Sequence, residues 1–230
     1  MKAVVLCSGN GTRLYPLTKT LPKALININN KKAIYYSLEL LKECNIKDIL
    51  LIINEKDYNL FDDLLKNELD INITYKIQKE LNGPLEAYKL SKDFIKDDSS
   101  ILLYSDNLFK SKKLIEDIKS NINTFKGAKI YLHDTLNPES YGICTLNNNN
   151  KIIDIEEKPK HTKSNKALTG IYLFDNKVFE YSKNISEMKD LLLKYLSKNE
   201  LNYLDLERDI WIDFGTPDNL LKAEILVKEK

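Results

Sequence analysis

The sequence predicts an α/β fold: a single three-layer domain around a mixed, mostly parallel central sheet. Three observations carry that expectation. Short apolar runs alternate with amphipathic stretches through residues 1–104. The runs at 3–7, 49–53 and 101–104 are continuous rather than alternating, as strands covered on both faces are. A chain of 230 residues with 43% hydrophobic content is long enough to bury one sizeable core.

The elements follow in order. The first strand, Lys2 to Cys7, ends in a Ser8-Gly9-Asn10-Gly11 turn. A helix from Ala33 to Cys44 sets Ile34, Leu38 and Leu41 on one stripe, and the strand Asp48 to Ile53 comes next. Asp57 to Lys66 reads as helix and Ile71 to Ile77 as strand. Pro84 to Ile95 reads as a helix with proline in its first turn, and Ser100 to Tyr104 as another buried strand. Such alternation implies parallel pairing through right-handed crossovers. After Gly127 the strands crowd together: Ala128 to His133, Gly142 to Leu146, Lys151 to Ile155 and Leu168 to Phe174, with Asn147 to Asn150 turning a hairpin. They either extend the same sheet or form a lobe over a ligand. Helix returns at Glu187 to Ser197 and again from Pro217, capped by Thr216, to Lys228.

Composition excludes several classes. Lys and Arg number 35 against 34 Asp and Glu, a net charge of +1, and no basic block stands out, so neither nucleic acid nor a membrane surface is an expected partner. The longest apolar runs are too short to span a bilayer or to form the apolar segment of a signal peptide. A cytoplasmic protein is expected. Cys7, Cys44 and Cys144 lack metal-ligand or redox spacing, and Cys7 reads as a small apolar residue at a strand end. His133 and His161 have no partners at a telling spacing, while Tyr35, Tyr36 and Phe61 read as core.

The densest chemistry runs from Ser8 through Gly9, Asn10, Gly11, Thr12 and Arg13, then on to Pro22-Lys23. It leaves the C-terminal end of the first strand, where ligands sit in open α/β sheets, and two closely spaced glycines let backbone N–H groups close around phosphate oxygens. Arg13, one of only two arginines, and Lys23 add cations beside the loop. No Gly-Lys-Ser/Thr follows, as a P-loop requires, and no third glycine opens a helix, as a dinucleotide fingerprint requires. Pro16 and Pro22 are expected to keep the segment extended.

These residues resemble the signature of the sugar-1-phosphate nucleotidyltransferases, in particular the glucose-1-phosphate thymidylyltransferases. Further segments extend the resemblance in order: Gln78 with Gly83, Tyr104-Ser105-Asp106-Asn107, Tyr141-Gly142, Glu156-Glu157-Lys158-Pro159, Leu168-Thr169-Gly170 and Trp211-Ile212-Asp213-Phe214-Gly215-Thr216-Pro217. The resemblance covers nearly the whole chain. It implies a Rossmann-like fold of the nucleotide-diphospho-sugar transferase type, with residues 1–126 as the nucleotide-binding half and 127–230 as the sugar-phosphate-binding half. It also implies condensation of a nucleoside triphosphate with a sugar-1-phosphate to give a nucleotide sugar and pyrophosphate.

The resemblance carries roles residue by residue. Arg13, Lys23 and Lys158 are the implied catalytic cations, with Arg13 on the departing pyrophosphate, Lys23 near the α-phosphate and Lys158 on the sugar phosphate. Ser8, Gly9, Gly11, Thr12, Gln78 and Gly83 would bind nucleotide, and Gln78 can offer both a donor and an acceptor to the imide edge of a pyrimidine, favouring dTTP or UTP. Tyr141, Gly142, Glu157, Lys158, Thr169 and Gly170 would bind the sugar phosphate, with glucose-1-phosphate the expected acceptor. Asp106 and Asp213 would hold Mg²⁺. By its own sequence context, Asp106 before Asn107 suits a turn cap as well as a metal ligand.

One stretch departs from the pattern. An Arg-Gly-Glu segment before the penultimate helix helps hold the sugar phosphate in the family, and here the region reads Lys183-Asn184-Ile185-Ser186-Glu187. Homo-oligomerisation is left open. The competing readings are a cytidylyl- or guanylyltransferase acting on another phosphate ester, such as phosphocholine or mannose- or heptose-1-phosphate, and a non-catalytic nucleotide-sensing module. The complete set of Arg13, Lys23, Asp106, Lys158 and Asp213 speaks against the sensor. The Tyr141-Gly142, Glu157-Lys158 and Thr169-Gly170 series suits a sugar more than a cationic acceptor.

Overall fold

The computed structural model describes residues 1–68, 70–123, 125–207 and 209–228. In chain order, β1 (Lys2–Leu6) leads through three single 3₁₀ turns to a small hairpin of β2 (Asn27–Ile28) and β3 (Lys31–Lys32). Then come α1 (Ile34–Glu43), β4 (Asp48–Ile53), α2 (Tyr58–Leu65), β5 (Asn72–Ile77), the short helices α3 (Pro84–Lys89) and α4 (Lys92–Ile95), and β6 (Ser100–Tyr104). There follow β7 (Asn107–Lys110), α5 (Lys112–Asn121), β8 (Ala128–Asp134), β9 (Gly142–Leu146), β10 (Ile152–Glu157) and β11 (Lys166–Phe174). The chain closes with α6 (Val178–Tyr181), α7 (Met188–Ser197), β12 (Leu201–Asp205), β13 (Ile210–Asp213) and α8 (Pro217–Lys228).

A nine-stranded mixed sheet organises the molecule, running β10-β9-β11-β6-β1-β4-β5, with β8 paired to β11 and β12. β1, β4, β5 and β6 are parallel, as βα alternation requires, and β11 joins β6 antiparallel. The strands after Gly127 therefore extend the first sheet. Successive residues of β1 point to opposite sides: Ala3 and Val5 pack with Leu38, Leu41 and Phe61, whereas Val4 packs with Leu85, Tyr88 and Tyr195. Helical layers thus cover both faces, which is why the parallel strands read as continuous apolar runs.

Three departures from the sequence expectation have physical causes. Pro16 and Pro22 do not keep their segment extended, because Thr12–Leu14, Leu17–Lys19 and Lys23–Leu25 each close a single 3₁₀ turn. Buried Leu14, Ala24 and Leu25 pull those turns inward, and proline's fixed φ tolerates such a turn without continuing into a helix. The expected helix over Pro84–Ile95 is two helices, broken where the Ser91 hydroxyl bonds back to the Tyr88 carbonyl at 2.5 Å. Third, β7, α5, β12 and β13 lie outside the elements the sequence announced. Of these, α5 carried a signal, since Ser111 caps it by accepting from the Leu114 N–H at 2.9 Å.

β7 and β13 form a separate two-stranded ribbon in which Asp213 sits across from Asn107. Beneath it a third apolar cluster joins Leu14, Ile26, Ile28, Leu108 and Phe214 to Leu220 and Ala223 of α8. The phosphate-type loop and the C-terminal ribbon are therefore fixed on one base. Phe61 is fully buried as expected, whereas Tyr35 and Tyr36 are half-buried, with the Tyr36 hydroxyl donating to the Ile28 carbonyl at 3.0 Å.

Candidate active site

The glycine-rich loop is held from both flanks. Leu14 N–H closes onto Gly11 O at 2.8 Å, and the Thr18 hydroxyl donates to the same carbonyl at 2.7 Å. On the other side Asn54 Nδ2 donates to Ser8 O at 2.9 Å and to the buried carboxylate of Asp57 at 3.2 Å. The Ser8 hydroxyl donates to Gln78 Oε1, and Gln78 Nε2 donates to Glu80 O at 2.9 Å. Both Ser8 and Gln78 lie at strand ends on one edge of the sheet. All six residues expected to bind nucleotide line a cavity of about 360 Å³ here, together with Arg13, Lys23 and Asp106.

A second cavity of about 210 Å³ is lined by all six residues expected to bind sugar phosphate. Gly142 brings the chain close to Glu157: a Cβ there would stand 3.1 Å from Glu157 Oε2 and 2.8 Å from Leu168 Cδ1. Gly170 sits where β11 shifts register between Leu168 and Tyr172, leaving β9 for β6. Its φ of +80° suits glycine, and a Cβ would stand 2.9 Å from Asn107 Nδ2. Thr169 presents backbone rather than hydroxyl, because its Oγ1 donates to Tyr131 O at 3.0 Å. Lys158 adopts φ +46°, a conformation that non-glycine residues rarely hold, with its N–H on Tyr141 O at 2.9 Å. Its ammonium reaches Glu157 at 3.5 Å, and the side chain is 63% exposed.

Arg13, Pro84, Tyr104 and Asp106 line both cavities. At that junction Lys23 forms an ion pair with Asp106, whose other oxygen accepts from Asn107 Nδ2 at 2.9 Å. Asp213 accepts from the Gly215 N–H at 2.8 Å. A Cβ on Gly215 would stand 2.8 Å from Asp213 Oδ1, 2.8 Å from Lys23 Nζ and 2.9 Å from Arg13 Nη2. Three charged groups thus converge around one glycine. Burial raises the Asp213 carboxyl above its usual range and the Asp106 charge raises it further, against the opposing pull of Lys23, the Gly215 N–H and Arg13. Two carboxylates and two cations share a space open on both sides.

Several lining residues had no assigned role in the sequence. Tyr104, Asn107 and Trp211 stood within the recognised motifs, and Trp211 Nε1 donates to Asn107 Oδ1 at 2.7 Å while its ring meets Tyr141 edge-on at 5.2 Å. Tyr172, two residues past Gly170, also lines the sugar-side cavity. In the stretch that departs from the family pattern, Lys89 Nζ donates to Ile185 O at 2.6 Å, and Glu187, Met188 and Lys189 line the cavity from the first turn of α7. No motif announced that turn. Among the described residues, no cluster of three or more His, Cys, Asp or Glu side chains is placed to hold a metal.

A family model described as nucleotidyl transferase matches residues 2–230. A glucose-1-phosphate thymidylyltransferase from Neisseria meningitidis is 34% identical over 238 aligned positions, covering 99% of this chain and 83% of that protein. One of the same name from Xanthomonas campestris is 34% identical over 232 positions, covering 96% and 79%. A crystal structure from Bacillus anthracis, assigned as a glucose-1-phosphate thymidylyltransferase and holding sucrose, superposes with a TM-score of 0.93 at 34% identity, covering 100% of this chain and 96% of that one. A UDP-glucose pyrophosphorylase from Acinetobacter baumannii shares the fold with a TM-score of 0.80 at 21% identity, covering 98% and 92%. No helix among the described residues is long and apolar enough to cross a membrane. The chain belongs to the nucleotidyl transferase family.

Proposed function

We propose that this protein joins dTTP or UTP to a sugar-1-phosphate, glucose-1-phosphate first among them, releasing pyrophosphate and a nucleotide sugar. The observation that carries the reading is the shared wall: Arg13 and Asp106 belong to both cavities, so two anionic substrates would meet at one charge centre. The names of the relatives at 34% identity support the choice of sugar and of thymidine nucleotide.

In the proposed reaction a phosphate oxygen of the sugar-1-phosphate attacks the α-phosphorus of the triphosphate. A new P–O bond forms, the bond from the α-phosphorus to the β-phosphate oxygen breaks, and pyrophosphate leaves with that electron pair. The attacking oxygen is already an anion, so no protein group has to take a proton from it. Positioning and charge neutralisation are what the protein must supply. The glycine-rich loop binds the triphosphate through its backbone N–H groups. Arg13 and Lys23 neutralise its oxygens, and Lys158, held beside Glu157 and largely hydrated, receives the acceptor phosphate. Glu157 accepts hydrogen bonds from sugar hydroxyls across the space left by Gly142.

A divalent cation fits the donors at the junction. Asp106 and Asp213 would be its hard oxygen ligands: burial raises the Asp213 carboxyl and the Asp106 charge raises it further, a repulsion that a cation held by both would offset, and at its remaining positions Mg²⁺ would take water and phosphate oxygens. When bound, Mg²⁺ would neutralise charge on the reacting phosphates. The test is pyrophosphate release from each common nucleoside triphosphate with a panel of sugar-1-phosphates. Release fastest with dTTP or UTP and a hexose-1-phosphate is the expected result, and release fastest with CTP or GTP contradicts the nucleotide assignment.

A further inference from the structure

Gln78 alone does not tell uracil or thymine from cytosine. A primary carboxamide carries a donor and an acceptor side by side. With Oε1 toward base N3, it matches the imide N–H and a flanking carbonyl of uracil or thymine. Turned by half a revolution, with Nε2 toward N3, it matches the ring nitrogen and amino group of cytosine. Discrimination therefore requires something that fixes which end of the amide is which.

The structure holds such a device. Glu80 O can only accept, and it takes one N–H of Gln78 Nε2 at 2.9 Å. The opposite end, Oε1, accepts the Ser8 hydroxyl. Ser8 and Gln78 are 4% and 6% exposed, so little solvent reaches the bond between them. One N–H and one lone pair of the amide remain for a ligand in the cavity that both residues line. Ser8 is itself fixed, since its carbonyl accepts from Asn54, which is tied to buried Asp57. Resting on the proposed pyrimidine nucleotide, we infer that Ser8 is a positioning residue whose hydroxyl, with the Glu80 carbonyl, locks the polarity of the Gln78 amide and so sets nucleobase choice.

In the parent, turning the amide would orphan the Ser8 hydroxyl proton as well as set Oε1 against the Glu80 carbonyl; without the hydroxyl only the Glu80 carbonyl opposes turning, so meeting an amino group costs less. The experiment compares kcat/KM for dTTP, UTP and CTP in the parent enzyme, Ser8→Ala and Ser8→Thr, with the same sugar-1-phosphate throughout. Ser8→Ala should lower the preference for dTTP and UTP over CTP by roughly tenfold, the scale of one hydrogen bond, and Ser8→Thr should restore it. The ratio between nucleotides is the readout, because a merely structural role would depress all three together. A parent enzyme that favours CTP sinks the proposed nucleotide and the lock with it. A pyrimidine-selective parent whose ratio is unmoved in Ser8→Ala sinks the lock alone. Should Ser8→Ala fail to fold, Ser8→Gly supplies the same comparison.

Discussion

Asp213 reaches the junction of the two cavities from the strand position directly across from Asn107, the residue that follows Asp106. Two carboxylates 107 positions apart in the chain are thereby held at the end of one small ribbon that, among the described residues, pairs with no other strand. The Phe214 N–H donates to Asp106 O at 2.9 Å and closes the arrangement at its end. Elsewhere in the site loops contribute, but this pair is fixed by a ladder.

Asp106→Asn and Asp213→Asn should each remove most turnover while keeping the fold, since volume is kept and charge is lost. Loss of charge stabilisation of this kind typically costs a factor of ~10²–10³. Rates measured with Mg²⁺ in excess check this, and near-normal turnover in either variant would show that its carboxylate is dispensable.

Asp213→Asn should also melt at a higher temperature than the parent without divalent cation. The folded carboxyl titrates above its ordinary value of 3.8, so the fold favours its protonated form. Its contribution to stability is fully present below that ordinary value and is lost as pH rises through the folded value. The asparagine variant has no such loss and can still accept the Gly215 N–H. Melting curves from pH 4 to 7 in EDTA should therefore diverge with rising pH, and curves that run parallel would show that the buried charge costs the fold nothing.

Lys23 and Lys158 should separate kinetically. Lys23 is half-buried and paired with Asp106 at the junction, so Lys23→Ala should chiefly lower kcat. Lys158 stands exposed at the sugar-side cavity, so Lys158→Ala should chiefly raise KM for the sugar-1-phosphate. An unchanged KM in Lys158→Ala would move the acceptor phosphate elsewhere.

Much of this was legible in the sequence because strand ends carry it. Gly9 and Asp106 follow apolar runs and Gln78 an alternating stretch, strands whose assignment depends only on local pattern, and a parallel sheet brings such ends to one edge. Lys158 and Gly170 were legible through the resemblance of their segments to those of the family. The β7–β13 ribbon was not, since its strands are four residues each and their pairing is a long-range contact without a local signature. The first turn of α7 was missed for a related reason. Glu187 to Lys189 read as an ordinary helix start, and only packing against the sheet brings them to the cavity. The Ser8–Gln78 bond spans 70 residues between two strand ends separated by β4, and sequence pattern offers no means of pairing them.

The central claim is that both substrates occupy the site together and react in one displacement at the Asp106–Asp213 junction. Initial rates of pyrophosphate release across a matrix of dTTP and glucose-1-phosphate concentrations test it most directly. Double-reciprocal lines that intersect, with one nucleotide sugar formed per pyrophosphate, are the predicted result. Parallel lines, or pyrophosphate released in the absence of sugar-1-phosphate at the same rate, would contradict it.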